Sequence, residues 1–150
     1  MIVLLLASCS VFQPLDGTWL FQFEREATLS GDCASEDSGG GTTTYEGTNN
    51  VWVEAYSATG GQVVIVLDDP LIGTLNGGNV EASYKTATSS RGVESSDETV
   101  LEAVLSGGAM AGTLTQETRW SGGGSDYRCT SATDFTADRV TSSPDSSVRD

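Results

Sequence analysis

The chain has 150 residues, and its 21 acidic and 7 basic side chains give it a formal net charge of −14. A surface of this sign repels nucleic acid, because binding to phosphates depends on cationic contacts. The length fits one domain with a single hydrophobic core. The sequence contains no histidine, the commonest general base and metal ligand, and the composition therefore argues against an enzyme.

A short apolar run in front of a cysteine is the first feature along the chain. Ile2–Leu6 leads through two small residues to Cys9. The segment Leu6-Ala7-Ser8-Cys9 resembles the lipobox of bacterial lipoproteins. The resemblance implies that residues 1–8 are a signal peptide, that Cys9 is lipidated, and that residues 9–15 form a tether. The competing interpretation is a buried N-terminal strand with a core cysteine.

The membrane is expected as a partner only through this lipid. No window of the sequence approaches the about 20 apolar residues that a transmembrane helix needs, and the acidic surface repels anionic headgroups. The lipoprotein resemblance implies a location in the cell envelope, at the outer membrane if the source is a Gram-negative bacterium.

The first strand is predicted by alternation. Trp19, Phe21 and Phe23 point to one side, while Gln22, Glu24 and Glu26 point to the other. The inward series continues to Arg25. A buried arginine would need a carboxylate or a ligand anion, and the alternative is a bulge that carries Arg25 to solvent.

Seven further segments have the composition of strands, and glycine-rich pairs between several of them predict hairpins. Polar segments at 34–49 and 90–97 are predicted loops, and the tail 141–150 is predicted to be disordered. The folded domain is expected at 16–140. The seven segments are Asn50–Ser57, Gln62–Asp68, Leu71–Leu75, Asn79–Ser89, Glu98–Ser106, Met110–Trp120 and Tyr127–Val140.

Eight sequential strands joined by short turns predict an all-β fold, an eight-stranded up-and-down antiparallel β-barrel. Closing the sheet removes the open edges that would pair with other chains. An interior of this size is filled by side chains or holds one small ligand. The alternative is a two-sheet β-sandwich built from the same strands.

Gly17-Thr18-Trp19 at the start of the first strand resembles the Gly-x-Trp signature of lipocalins and the wider calycin barrels. In that family a basic residue near the end of the last strand packs across the tryptophan and closes the barrel floor. The resemblance implies this role for Arg139, which falls in register with Phe135 and Ala137 when residues are counted by two.

Two cysteines remain once Cys9 is assigned to lipid. Outside the cytoplasm, where disulfides persist, Cys33 and Cys129 are expected to pair. In a closed barrel the first and last strands are neighbours, so the two sulfurs can meet. A sandwich offers no such reason, and the alternative is two free buried thiols.

No catalytic, cofactor or metal site is predicted. Asp68-Asp69 precedes Pro70 and is expected to be a strand-ending turn, because the spaced acidic loop of a calcium site is missing. The leading hypothesis is a non-enzymatic barrel that binds a small apolar or amphipathic ligand. Its candidate lining residues are Phe21, Phe23, Arg25, Tyr84 and Gln116.

The alternative function is a protein-interaction module, such as a lipocalin-like protease inhibitor. Its partner would contact the loops 34–49 and 90–97, since loops on rigid scaffolds often carry function. The interior distinguishes the two hypotheses. A cavity of at least ~300 Å³ favours a small ligand, and a filled interior favours protein interaction.

Overall fold

The computed structural model describes residues 15–33, 42–44 and 49–141, and the side chains of 42–44, 59 and 141 are not described. The predicted signal peptide at residues 1–8, Cys9, most of the 34–49 segment and the tail from 142 lie outside the described residues. A 3₁₀ turn covers Thr59–Gly61. The strands are β1 Gly17–Phe23, β2 Glu26–Gly31, β3 Thr42–Thr44, β4 Asn50–Ser57, β5 Gln62–Val66, β6 Pro70–Asn76, β7 Asn79–Ser90, β8 Val93–Ser106, β9 Ala109–Gly122 and β10 Ser125–Thr141.

The sheet closes on itself. From β4 to β10 each strand pairs with the next, and β1 pairs antiparallel with both β4 and β10. The predicted eight-stranded antiparallel barrel is therefore confirmed, and the alternative of a sandwich is wrong. Two further strands extend this ring. β2 pairs with β10 beyond the end of β1, and β3 pairs with the other edge of β2.

A bulge separates β1 from β2. Phe23 pairs with Phe135 and Thr28 pairs with Ala132, so the first strand advances five residues while β10 advances three. The two extra residues are Glu24 and Arg25. Arg25 is exposed, in agreement with the alternative of a bulge that carries its side chain to solvent. The bulge breaks the alternation that pointed Arg25 inward.

One side of the barrel is taller than the other. β7 to β10 have 12, 14, 14 and 17 residues, whereas β5 and β6 have 5 and 7. The long strands therefore rise above the short ones as an extended wall, defined here as residues 84–90, 93–99, 116–122 and 125–131.

The segment 90–97 was predicted as a loop, and that prediction is wrong. β8 already begins at Val93, and only Arg91 and Gly92 form the turn after β7. Both turn residues have positive φ, 53° and 78°, as the tight two-residue hairpin turn requires. The strand was missed because polar residues occupy both of its faces, which leaves no hydrophobic alternation to detect.

The core fills the barrel between its closed end and the base of the wall. Phe21 stacks on Phe135 with ring centroids 4.7 Å apart, and Phe23 packs against both rings. Gly112 pairs with both Phe135 and Ala103, and a Cβ there would collide with the backbone of β8. The other completely buried large side chains include Leu15, Trp19, Ile65, Leu71, Leu101, Met110, Val53, Val63 and Val80.

Candidate functional site

The closed end of the barrel is sealed by the segment that precedes β1. Leu15 is buried, its N–H donates to Ser57 Oγ at 2.8 Å, and its carbonyl accepts a 2.9 Å hydrogen bond from Trp19 Nε1. Asp16 Oδ1 accepts from the Ser57 N–H at 2.8 Å. Arg139 Cζ lies 4.9 Å from the Trp19 ring centroid. The two residues that the calycin resemblance singled out thus meet at this end.

The opposite end is fastened by a disulfide. Cys33 and Cys129 are bonded, with their Cα atoms 5.1 Å apart, so the predicted bridge is confirmed and the alternative of free thiols is wrong. Next to it, the Asp32 N–H donates to the Arg128 carbonyl, and Asp32 Oδ2 accepts from the Arg128 N–H, both at 2.7 Å. The bridge and these bonds join the end of β2 to the start of β10.

The open end contains a cavity of about 430 Å³ at the base of the extended wall. Tyr84 and Gln116, two of the predicted lining residues, lie on it. Register shows why they meet: Tyr84 pairs with Thr99, and Thr99 pairs with Gln116. The remaining lining residues are Asp69, Thr86, Asp97, Glu98, Glu117 and Thr118.

The polar row at the cavity continues upward along the wall. Thr86 pairs with Asp97 and Asp97 with Thr118, and Thr118 Oγ1 donates to Asp97 Oδ1 at 2.7 Å. Sequence analysis missed Thr86, Asp97, Thr99 and Thr118. Counting back by two along the strand from Leu101, which is buried, would have identified Thr99 and Asp97 as inward-facing residues.

The inner face of the sheet becomes apolar below the cavity. Directly below Tyr84, Thr99 and Gln116, the next inward row consists of Ala82, Leu101 and Leu114. Ala82 and Leu101 are buried, while Leu114 is half-buried against the core. The cavity itself is lined by Tyr84 and by polar and charged residues. Phe21 belongs to the packed core beneath, and Phe23 is half-buried beside it.

The outer face of the wall has different chemistry. Glu117 accepts hydrogen bonds from both Arg119 and Arg128, which pair across β9 and β10. The Arg119 bond holds the pKa of Glu117 below its ordinary value and raises the pKa of Arg119. A groove of about 590 Å³ near the top of the wall is lined by residues of both faces, among them Ser89, Arg119, Trp120 and Tyr127.

Comparison with known proteins found no family model, no curated protein and no solved structure that matches the chain. Among the residues that the structure describes, no helix is long and apolar enough to cross a membrane. Within the same ranges, no cluster of three His, Cys, Asp or Glu side chains could hold a metal ion. The functional proposal therefore depends on the geometry of the barrel itself.

Proposed function

We propose that this chain is a lipid-anchored β-barrel lipoprotein of the bacterial cell envelope, and that its open end binds a small amphipathic molecule without catalysing a reaction. The observation that carries the proposal is the cavity of about 430 Å³ at the open end. Its volume falls within the range of small-molecule sites, about 300–1,000 Å³.

The chemistry of the cavity selects an amphipathic ligand. The ring of Tyr84 supplies apolar surface, and the side chains of Tyr84, Thr99 and Gln116 supply hydroxyl and amide groups. Hydroxyls and amides both donate and accept hydrogen bonds. Among the described lining residues none is basic, whereas Asp69, Asp97, Glu98 and Glu117 are acidic. The polar part of the ligand is therefore neutral or cationic.

The position of the anchor supports the same function. Leu15 seals the closed end, and Cys9 precedes it by six residues, a reach of at most about 20 Å. A lipid on Cys9 would thus attach near the closed end. The ligand cavity lies at the opposite end of the barrel, where it stays open to soluble molecules.

The test is to fill the cavity. Thr99→Trp adds an indole between Tyr84 and Gln116, and Val104→Trp is the matched control on the outer face of the same strand, where Val104 is exposed. Native mass spectrometry of protein purified from its own host should find a retained molecule in the wild type and the control. Calorimetric titration should likewise show that dodecyltrimethylammonium binds to the wild type and to the Val104→Trp control.

The Thr99→Trp variant should have lost both signals. Retention of the molecule by this variant would contradict a site at the open end. Failure of the wild type to bind either the host molecule or the detergent would contradict small-ligand binding altogether.

A second candidate function is a protein-interaction module, such as a protease inhibitor. It is favoured by the packed lower interior, where Phe21, Phe135 and Leu101 leave the ligand only the open end. The turn at Arg91-Gly92 and the segment 34–49 would carry the contacts. Inhibition of a panel of secreted proteases by the wild type, lost on replacing Arg91-Gly92 with Asn-Gly, would support this function.

A further inference from the structure

The two faces of the extended wall differ sharply in charge. Alternation from the buried residues Ala82, Leu101 and Met110 assigns each wall residue to the inner or the outer face. Asp97 is the single charged side chain on the inner face among the described wall residues. The outer face carries Lys85, Glu94, Glu98, Glu117, Arg119, Asp126 and Arg128.

Water reaches both faces of the wall, so solvation alone does not explain why the charged residues are concentrated on the outer face. The inner face is nonetheless rich in groups that form hydrogen bonds without carrying charge. Each hydroxyl is both donor and acceptor, and the Gln116 amide supplies both kinds of group. The uncharged polar residues of this face are Tyr84, Thr86, Thr88, Ser90, Ser95, Thr99, Gln116, Thr118, Ser125, Tyr127 and Ser131.

An aromatic pair stands among these hydroxyls near the top of the wall. Trp120 and Tyr127 pair across β9 and β10, with ring centroids 6.0 Å apart and planes inclined by 15°. Trp120 is 39% exposed. A flat ring that combines apolar surface with a hydrogen-bond donor suits a ligand that is apolar on one side and polar at its rim.

The face is long and open. Along the strands, from Gln116 to Trp120, it measures about 14 Å at ~3.4 Å per residue. Across the four strands it also measures about 14 Å, at ~4.8 Å between neighbouring strands. β5 and β6 end below this face because they are short. A chain of several rings can therefore lie on it without threading.

From these observations we infer that the inner face of the extended wall binds a neutral oligosaccharide. A sugar ring stacks its C–H face on Trp120, and its hydroxyls bond to the rows Thr86–Asp97–Thr118 and Thr88–Ser95. This site goes beyond the proposed function, since it shares the row Thr86–Asp97–Thr118 with the small-ligand cavity but extends above it to Trp120, and it does not need the lipid.

The experiment measures calorimetric affinity for three neutral hexasaccharides, of β-1,4-linked N-acetylglucosamine, β-1,4-linked glucose and α-1,4-linked glucose. Hexagalacturonate serves as the anionic control. At least one neutral chain should bind, and the anionic one should not. Trp120→Ala should weaken binding about tenfold, since an aromatic contact is worth about 0.5–1.5 kcal/mol.

Trp52→Ala is the matched control, because Trp52 is 63% exposed on the outer face of β4, and it should bind as the wild type does. Ser95→Arg, which places a bulky charge between Thr88 and Trp120, should abolish binding. Far-ultraviolet circular dichroism verifies that each variant is folded.

The inference is overturned if no neutral hexasaccharide binds, or if binding survives both Trp120→Ala and Ser95→Arg. It is also overturned if the face captures extended peptides rather than sugars. A peptide would pair with the β7 edge above Ser83, where β6 no longer pairs, and would not depend on Trp120. Thr99→Trp tests the small-ligand cavity separately, so either proposal can fail alone.

Discussion

Arg139 and Trp19 lie directly opposite each other on β10 and β1, and the guanidinium carbon is 4.9 Å from the indole centroid. Trp19 is buried, and its Nε1 donates to the Leu15 carbonyl. The Arg139 N–H donates to the Gly108 carbonyl at 2.8 Å. A single pair thus links the first strand, the last strand and the β8–β9 hairpin at the closed end.

Arg139→Ala should lower the free energy of unfolding by about 0.5–2 kcal/mol for the cation–π contact, plus the packing of its alkyl stem. Urea unfolding followed by tryptophan fluorescence measures this loss. Arg25→Ala is the control, since Arg25 is exposed at the bulge, and it should change stability by less than about 0.5 kcal/mol. Equal losses in the two variants would show that the contact with Trp19 contributes nothing.

Removing the disulfide should destabilise the fold by up to about 4–5 kcal/mol in the chain-entropy model, because the bridged residues are 96 apart in sequence. Cys33→Ser with Cys129→Ser should lower the melting temperature. Dithiothreitol should lower the melting temperature of the wild type to a similar value and should not change the melting temperature of the double variant. A reductant effect of equal size in the double variant would contradict this account.

Gly112→Ala should destabilise the barrel by about 1–3 kcal/mol, as overpacking does. The added Cβ would collide with the Glu102 carbonyl and with Ala103 on the neighbouring strand. Gly108→Ala is a matched control, since no atom lies within 4 Å of a Cβ there and its φ is not positive. Denaturant midpoints that coincide for the two variants would argue against the close approach of β8 and β9.

Lipidation is tested at Cys9. Cells grown with radiolabelled palmitate should label the wild type, and Cys9→Ser should be unlabelled and released from the membrane fraction. Cys33→Ser, which also removes one thiol, should keep its label. Incorporation of palmitate into the Cys9→Ser protein would refute the lipobox assignment.

The sequence by itself determined the eight strands of the closed ring and the Cys33–Cys129 bridge, but not β3, which lies in the segment 34–49 that was predicted as a loop. Each depends on local signals: apolar alternation, glycine-rich turns, and two cysteines at the ends of strands that closure makes neighbours. The opposition of Trp19 and Arg139 followed from counting by two along β10, because no bulge interrupts the register between Phe135 and Arg139.

Only the tertiary structure decided where Arg25 points and where β8 begins. The bulge at Glu24-Arg25 depends on how β1 and β2 pair with β10, which no local pattern encodes. Val93–Asp97 is polar on both faces because water reaches both sides of the wall, so the strand leaves no hydrophobic period. Tyr84, Thr99 and Gln116 form one row only after three strands align, since register between distant segments is set by their packing.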